Sequence, residues 1–218
     1  MMPDIIAIDG PAASGKSSVS RLLARTLRLH YVNSGAFYRS LTSAVNDAHI
    51  DARDPAVLTD FISSLDLQCG TGADGHPTLS INGHITTEAA LRDPAVNAGV
   101  SIVASNSTVR DRLTHLLRSL ATGGPLVMEG RDIGSVVFPD TRCKFYIDAN
   151  EEVRARRRAA QGETDSIARR DALDSTRKNA PLIIAEDAHV IDSSHLTLEG
   201  VVGEIIGRLR LKGFTVSL

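Results

Sequence analysis

The chain alternates short apolar runs with longer amphipathic stretches, and the spacing of its hydrophobic positions sorts the elements. Residues 5–8 are an unbroken apolar run, the pattern of a strand buried on both faces. Over 16–29, Val19, Leu22, Leu23 and Leu27 recur at helical spacing. A short strand at 31–32 and helices at about 36–47 and 55–65 follow. The texture changes at 66–87, where apolar and polar residues alternate between Gly70, Gly72, Gly75, Pro77 and Gly83. That reads as short antiparallel strands, with Asn82-Gly83 as a hairpin turn. Helices at 93–104 and 107–121 lead to buried strands at 126–128, 143–147 and 189–191. Strongly charged helices at 150–160 and 165–178 lie between the last two strands. A final helix at 198–211 aligns Val201, Val202, Ile205, Ile206 and Leu209 along one side.

Apolar strands separated by helices predict an α/β fold, a five-stranded parallel sheet covered on both faces. The segment at 66–87 breaks that rhythm and is expected to be an insertion. The organisation predicted is one domain with a core of 1–62, 93–149 and 180–218, a β-rich insertion at about 63–92 and a helical lid at about 150–179.

Composition narrows the partners. The hydrophobic fraction of 42% supports a real core, and 4% aromatics with no Trp make it aliphatic. A net charge of −2 argues against a nucleic-acid polymer as ligand, since no basic excess exists to neutralise a phosphate backbone. The N-terminal residues lack a basic, then apolar leader, so neither secretion nor a membrane span is expected. Cys69 and Cys143 are far apart and outside any metal-ligand spacing, which favours reduced thiols and a cytoplasmic protein. The seven histidines show no ligand spacing either. Of 24 basic residues only four are Lys. Arginine's planar fork matches phosphate oxygens, but a G- and C-rich genome would also favour it, so individual positions must decide.

The decisive motif is Gly10-Pro11-Ala12-Ala13-Ser14-Gly15-Lys16-Ser17, a full G-x-x-x-x-G-K-[ST] between a strand and a helix. Its glycines let backbone N–H groups wrap a β-phosphate at a helix N-terminus. Lys16 is placed to reach the β/γ oxygens and Ser17 to hold Mg²⁺, with Ser14 and Ser18 as further polar neighbours. The cradle thus calls for ATP and Mg²⁺. Neither D-x-x-G nor N-K-x-D occurs, which removes a GTPase switch. A motor or switch ATPase stays open, because Glu129 ends the apolar run 126–128. A small-molecule kinase needs arginines around an acceptor: two dianionic phosphates about 5 Å apart repel by ~13 kcal/mol at an effective dielectric of 20. Arg39 lies beyond the second strand, and Arg131 and Asp132 at the carboxyl end of a later one, where open α/β sheets bind ligands. Arg154, Arg157 and Arg158 share a helix face, whereas Arg156 points elsewhere.

In five blocks the chain resembles the bacterial-type cytidylate kinases, a family of P-loop nucleoside monophosphate kinases. The blocks are the P-loop through Ser18, Asn33-Ser34-Gly35-Ala36-Phe37-Tyr38-Arg39, and Glu129-Gly130-Arg131-Asp132-Ile133-Gly134 with Val136-Val137-Phe138-Pro139-Asp140. Arg169-Arg170-Asp171 leading to Asp174-Ser175-Thr176-Arg177, and Ala188-His189-Val190-Ile191-Asp192-Ser193, complete the set. The resemblance implies a monomer that phosphorylates CMP and dCMP with ATP, and an insertion that serves the monophosphate. It implies that Arg39, Arg131 and Arg177 clamp the acceptor phosphate, with Ser34 and Tyr38 beside them. Arg170 and Asp174 would bind the ribose, and Ser101, Arg110 and Asp132 would read cytosine. Arg154, Arg157 and Arg158 would face the transferring phosphoryl group. Two departures stand out: Asn33 where the family often has Asp, and a short lid between Ala149 and Arg170. On residue pattern alone, Arg110 reads as a surface residue, Ser101 as an ordinary helix position, Tyr38 as a packing residue and Asp174 as an i+4 partner of Lys178.

Overall fold

The computed structural model describes residues 5–160, 167–177 and 179–214, with the backbone alone at 167–170. The chain begins β1 (Ile5–Asp9), α1 (Lys16–Leu27), β2 (His30–Asn33), α2 (Ser34–Asp47) and α3 (Pro55–Ser64). It continues through β3 (Leu67–Thr71), β4 (Pro77–Ile81), β5 (His84–Ile85), α4 (Glu88–Leu91), α5 (Pro94–Val103) and α6 (Ser107–Ser119). It closes with β6 (Leu126–Gly130), β7 (Cys143–Asp148), α7 (Glu151–Ala160), α8 (Ile167–Ser175), β8 (His189–Asp192) and α9 (Leu198–Leu211). The four-residue α4 and a π-helical segment at Ile133–Val137 are the elements that the hydrophobic pattern does not announce.

Five strands form a parallel sheet in the order β2-β6-β1-β7-β8. Alternation along the strands divides two cores. Ile5 and Ala7 of β1, with Leu126 and Met128 of β6, face one layer that holds Phe37, Leu41, Val109 and Leu113. Ile6, Ile8 and Val127 face the other, with Val19, Leu23, Ile205 and Leu209 of α1 and α9. Apolar residues on both faces of a strand follow from helices on both faces of the sheet. Register places Asp9 opposite both Gly130 and Tyr146, so the carboxyl ends of β6, β1 and β7 lie side by side. From β1 the chain first runs to the β2 side and later to the β7 side, which opens a crevice there.

The residues at 67–85 form a separate antiparallel sheet, β3-β4-β5. Asn82 and Gly83 both adopt positive φ, 51° and 80°, as a two-residue hairpin requires. This sheet has no core of its own: Leu67, Leu79 and Ile81 join the cluster beneath α2 and α6.

Helix starts follow local chemistry. Asn33, Asp54, Asp93, Asn106 and Thr197 cap α2, α3, α5, α6 and α9 with their side chains. Asn33 Oδ1 accepts from Ala36 N, so the Asn that departs from the family pattern performs the cap an Asp would. In contrast, α1 begins at Gly15 (φ 94°) with no side-chain cap. Its first amides therefore stay available for an anion.

Candidate active site

The P-loop runs from the end of β1 into α1. Gly10 takes φ 152°, and a Cβ there would meet Ile147 O at 2.1 Å, so only glycine fits. Lys16 Nζ donates to Pro11 O at 2.9 Å across the loop. A cleft beside it is lined by Ala12, Ala13, Gly15, Lys16, Ser17 and Ser18, with Arg39, Arg131 and Arg158. Ser14 lies underneath, fully buried, and its carbonyl accepts from Ser193 Oγ at 2.9 Å.

Ser17 Oγ donates to Glu129 Oε2 at 2.9 Å, and Tyr31 Oη donates to Glu129 Oε1 at 2.8 Å. Glu129 is 2% exposed. A hydroxyl and a carboxylate beside a phosphate cradle are hard oxygen donors that fit Mg²⁺, which takes one or two carboxylates, substrate phosphates and waters. Among the described residues no cluster of three or more His, Cys, Asp or Glu offers an all-protein metal cage.

An adjoining cleft holds nine of the ten residues expected on the acceptor side. Ser34, Tyr38, Arg39, Ser101, Arg110, Arg131, Asp132, Asp174 and Arg177 all line it, together with Lys16 and Glu129. The side chain of the tenth, Arg170, lies outside the described residues. Five cationic side chains line this cleft against three carboxylates, an excess of two that matches a dianionic phosphate.

The side chains converge from several elements: Ser34, Tyr38 and Arg39 from α2, Ser101 from α5, Arg110 from α6, Arg131 and Asp132 from the turn after β6, and Asp174 from α8. Arg110 of α6 forms a buried ion pair with Asp132, both side chains 5% exposed. Its guanidinium lies 5.4 Å over the Tyr38 ring and also donates to Ala104 O at 3.3 Å. The surface reading of Arg110 is therefore corrected. It shares a helix stripe with Leu113 and Leu117, at i, i+3 and i+7, and a charge on an apolar stripe was the available sign. Ser101 is equally buried, on a face of α5 shared with Asn97.

Asp174 of α8 is a hub. It accepts from Ser101 Oγ at 2.9 Å, from Arg131 Nε at 2.8 Å and from Arg177. Burial alone would raise its carboxyl, but Arg131 and Arg177 outweigh burial and hold it below the usual range. Lys178, its expected i+4 partner, lies outside the described residues. Arg131 also donates to Gly10 O at 2.5 Å, which ties the acceptor cleft to the P-loop. Arg39 Nε donates to Asn97 Oδ1 at 3.4 Å, and Asn97 donates to Arg92 O. Gly130 is tightly enclosed: a Cβ there would stand 2.6 Å from Ser34 Oγ and 2.7 Å from the Ile133 side chain, and both would have to shift.

The charged helix α7 turns Arg154, Arg157 and Arg158 toward the P-loop, and Arg156 is exposed. Arg154 and Arg157 donate to the P-loop carbonyls Ala12 O and Ser14 O, at 3.3 and 3.1 Å. These two brace the loop, and Arg158 lines the cradle itself. Asp171, which sequence reasoning passed over, binds Arg154 and accepts from Ala12 N at 3.0 Å. Glu129 is linked to Ser17 across 112 residues, so no local pattern gives the pair. No residue of 63–92 lines either cleft.

Comparison with known proteins gives one consistent result. Residues 6–211 match the family described as cytidylate kinase. A cytidylate kinase of Pelotomaculum thermopropionicum (strain DSM 13744 / JCM 10971 / SI) is 41% identical over 215 residues, 94% of this chain and 95% of that one. A bifunctional pantoate ligase/cytidylate kinase of Prochlorococcus marinus (strain MIT 9313) is also 41% identical, over 95% of this chain but 43% of its own length. The chain thus spans less than half of such bifunctional relatives and nearly all of the stand-alone one. Among solved structures, a gluconokinase from Sinorhizobium meliloti 1021 superposes with a TM-score of 0.51 at 13% identity, covering 97% of this chain and 94% of that one. At that identity the likeness carries the fold alone.

Proposed function

We infer the reaction from one premise: the chain belongs to the cytidylate kinase family. The reaction is transfer of the ATP γ-phosphoryl group to CMP or dCMP, giving ADP and the diphosphate. The observation that carries this reading is the buried Arg110–Asp132 pair, set in one cleft with Ser101, Arg39, Arg131 and Arg177, next to the P-loop.

The roles follow from chemistry. Lys16 and the P-loop amides hold the β- and γ-phosphates of ATP. Ser17 and Glu129 would hold Mg²⁺, which would supply positive charge to the donor phosphates. Arg39, Arg131 and Arg177 neutralise the acceptor phosphate, and Arg158 meets charge on the group in flight. Arg154, Arg157 and Asp171 keep the cradle in shape, and Arg170 joins Asp174 at the ribose. No general base is required, since the acceptor phosphate is already an oxyanion. Asp132 accepts from the cytosine amine, Arg110 donates to the ring nitrogen and carbonyl, and Ser101 adapts between them. The β-rich segment 63–92 acts on the acceptor side through packing on α2 and through Arg92, while the lid, 150–179, contributes Asp174 and Arg177 directly. The same reading makes the chain a cytoplasmic monomer that acts on small nucleotides.

The test is ADP release measured with CMP, dCMP, UMP, AMP, GMP and no acceptor. Release that depends on CMP or dCMP is expected. Equal ATP hydrolysis without any monophosphate would instead make the chain a switch ATPase.

A further inference from the structure

We propose that Asp9 is a positioning residue for acceptor recognition, pinning the turn that aims Arg131 and Asp132 into the cleft. The inference rests on the reading of those two residues as acceptor contacts.

Asp9 ends β1 and is 6% exposed. It lines neither cleft. Its two carboxylate oxygens accept from consecutive amides: Oδ1 from Ile133 N at 2.8 Å, Oδ2 from Gly134 N at 2.7 Å. Those amides open the π-helical segment and immediately follow Asp132, whose own backbone is irregular (φ −146°, ψ 25°). The Asp132 carbonyl accepts from Val136 N and Val137 N at 2.9 and 3.1 Å, but the amides of Ile133 and Gly134 at the start of the segment point back to Asp9. Two bonds to adjacent peptide planes fix the exit from Asp132, and with it the direction in which Arg131 and Asp132 project.

The rest of the segment is tied elsewhere. Arg118 donates to Val136 O and Val137 O at 2.9 and 2.8 Å, and Lys144 Nζ donates to Pro139 O at 2.6 Å. Of these ties, Asp9 alone grips the end next to the site. The fit is close: a Cβ on Gly134 would stand 3.1 Å from the Lys144 side chain and 3.4 Å from Asp9 Oδ2.

A carboxylate is needed because two N–H groups call for two acceptors. Asparagine would turn an N–H₂ toward one of them. The position is otherwise costly for a charge. Burial pushes Asp9 up to about 7, with its two amide bonds and Lys16 opposing and Asp132 adding to the rise. A strand of Ile, Ile, Ala and Ile that ends in a buried Asp departs from its own pattern, and such departures concentrate at functional sites.

The test is steady-state kinetics of the full chain with Asp9→Asn. Hydrogen bonds that orient a ligating residue from behind change affinity by about ten- to a hundredfold at metal sites, and the same scale is expected for this turn. The expected result is a CMP KM raised about tenfold or more and a lower CMP-to-UMP ratio of kcat/KM, with the ATP KM within about twofold. A merely structural role predicts lower thermal stability with both KM values and the ratio unchanged, and that result overturns the proposal. An equal rise in the ATP KM overturns it too. Should Asp9→Asn not fold, Gly134→Ala crowds the same pinned turn, its Cβ 3.1 Å from the Lys144 side chain and in contact with Asp9 Oδ2 at 3.4 Å. It should raise the CMP KM and lower the ratio to a smaller extent, and an unchanged CMP KM and ratio in it is likewise refuting. The wild-type acceptor panel separates the two levels: absence of CMP dependence there sinks the reaction, whereas normal wild-type behaviour with an unaffected variant sinks only Asp9.

Discussion

Replacing Arg110 with Met tests base recognition where the structure is most specific. Arg110 and Asp132 are each 5% exposed and directly paired. Truncating one partner of a buried pair typically costs about 3–5 kcal/mol, because the other charge is left uncompensated. For a chain of this size each kcal/mol shifts Tm by about 2–4 °C, so a drop of roughly 6–20 °C is expected. Removing the pair together, as Arg110→Met/Asp132→Asn, should recover part of that loss, since neither member is left as a buried charge without its partner. Specificity should move separately. On the proposed reading of the pocket, UMP would meet two mismatches in the wild type: its carbonyl would face the Asp132 carboxylate, and its ring N–H would face Arg110. Mispaired buried polar groups cost a few kcal/mol, which supports a preference for CMP of about a hundredfold or more. Arg110→Met removes the second mismatch, along with the donor that CMP uses. The kcat/KM ratio should therefore fall by about tenfold per 1.4 kcal/mol lost. The assay is kcat/KM for CMP, dCMP, UMP and AMP, run below the variant's Tm. An unchanged CMP-to-UMP ratio in a folded Arg110→Met protein would refute this pocket and leave the kinase reading standing.

Other outcomes follow from the same geometry. Lys16→Ala should keep the fold and lower kcat by about a hundred- to a thousandfold, the range for one electrostatic contact to developing charge; near-normal turnover would remove the P-loop assignment. Glu129→Gln should raise the Mg²⁺ concentration needed for half-maximal rate by about tenfold or more, because Glu129 bonds Ser17 directly; a Mg²⁺ titration identical to wild type would exclude Glu129 from the ion's site. Asp174 is held below the usual carboxylate range, so its contribution to stability is present above its unfolded pKa and is lost as pH falls through the folded one. Urea unfolding at pH 7 and at acid pH should therefore show less acid destabilisation for Asp174→Asn than for wild type, and parallel curves would show that its arginine pairs do not stabilise the fold.

Much of this arrangement was legible in the sequence, and what was hidden shares a physical cause. Strands such as β1 and β6 announce themselves because a strand buried on both faces must be apolar throughout. Asn82-Gly83 marks its hairpin because few residue pairs tolerate two consecutive positive φ angles. The P-loop reads directly because backbone must approach phosphate. The hidden contacts are long-range and polar: Glu129 to Ser17 and Tyr31, Asp174 to Ser101 and Arg131, Asp171 to Ala12. Local periodicity carries no information about a partner tens of residues away. It does carry information about position, and here that points to a rule that can be applied residue by residue. Arg110 lies on the stripe of Leu113 and Leu117, and Asp9 ends a run of Ile, Ile, Ala and Ile. Each is a charge where the pattern demands an apolar side chain, and each is buried with its partners supplied from another element. An uncompensated charge at such a position would cost several kcal/mol, enough to threaten a fold of marginal stability. A charge that breaks an apolar stripe therefore implies a partner, and in this chain the two converge on Asp132: Arg110 pairs with its carboxylate, and Asp9 grips the two amides that follow it.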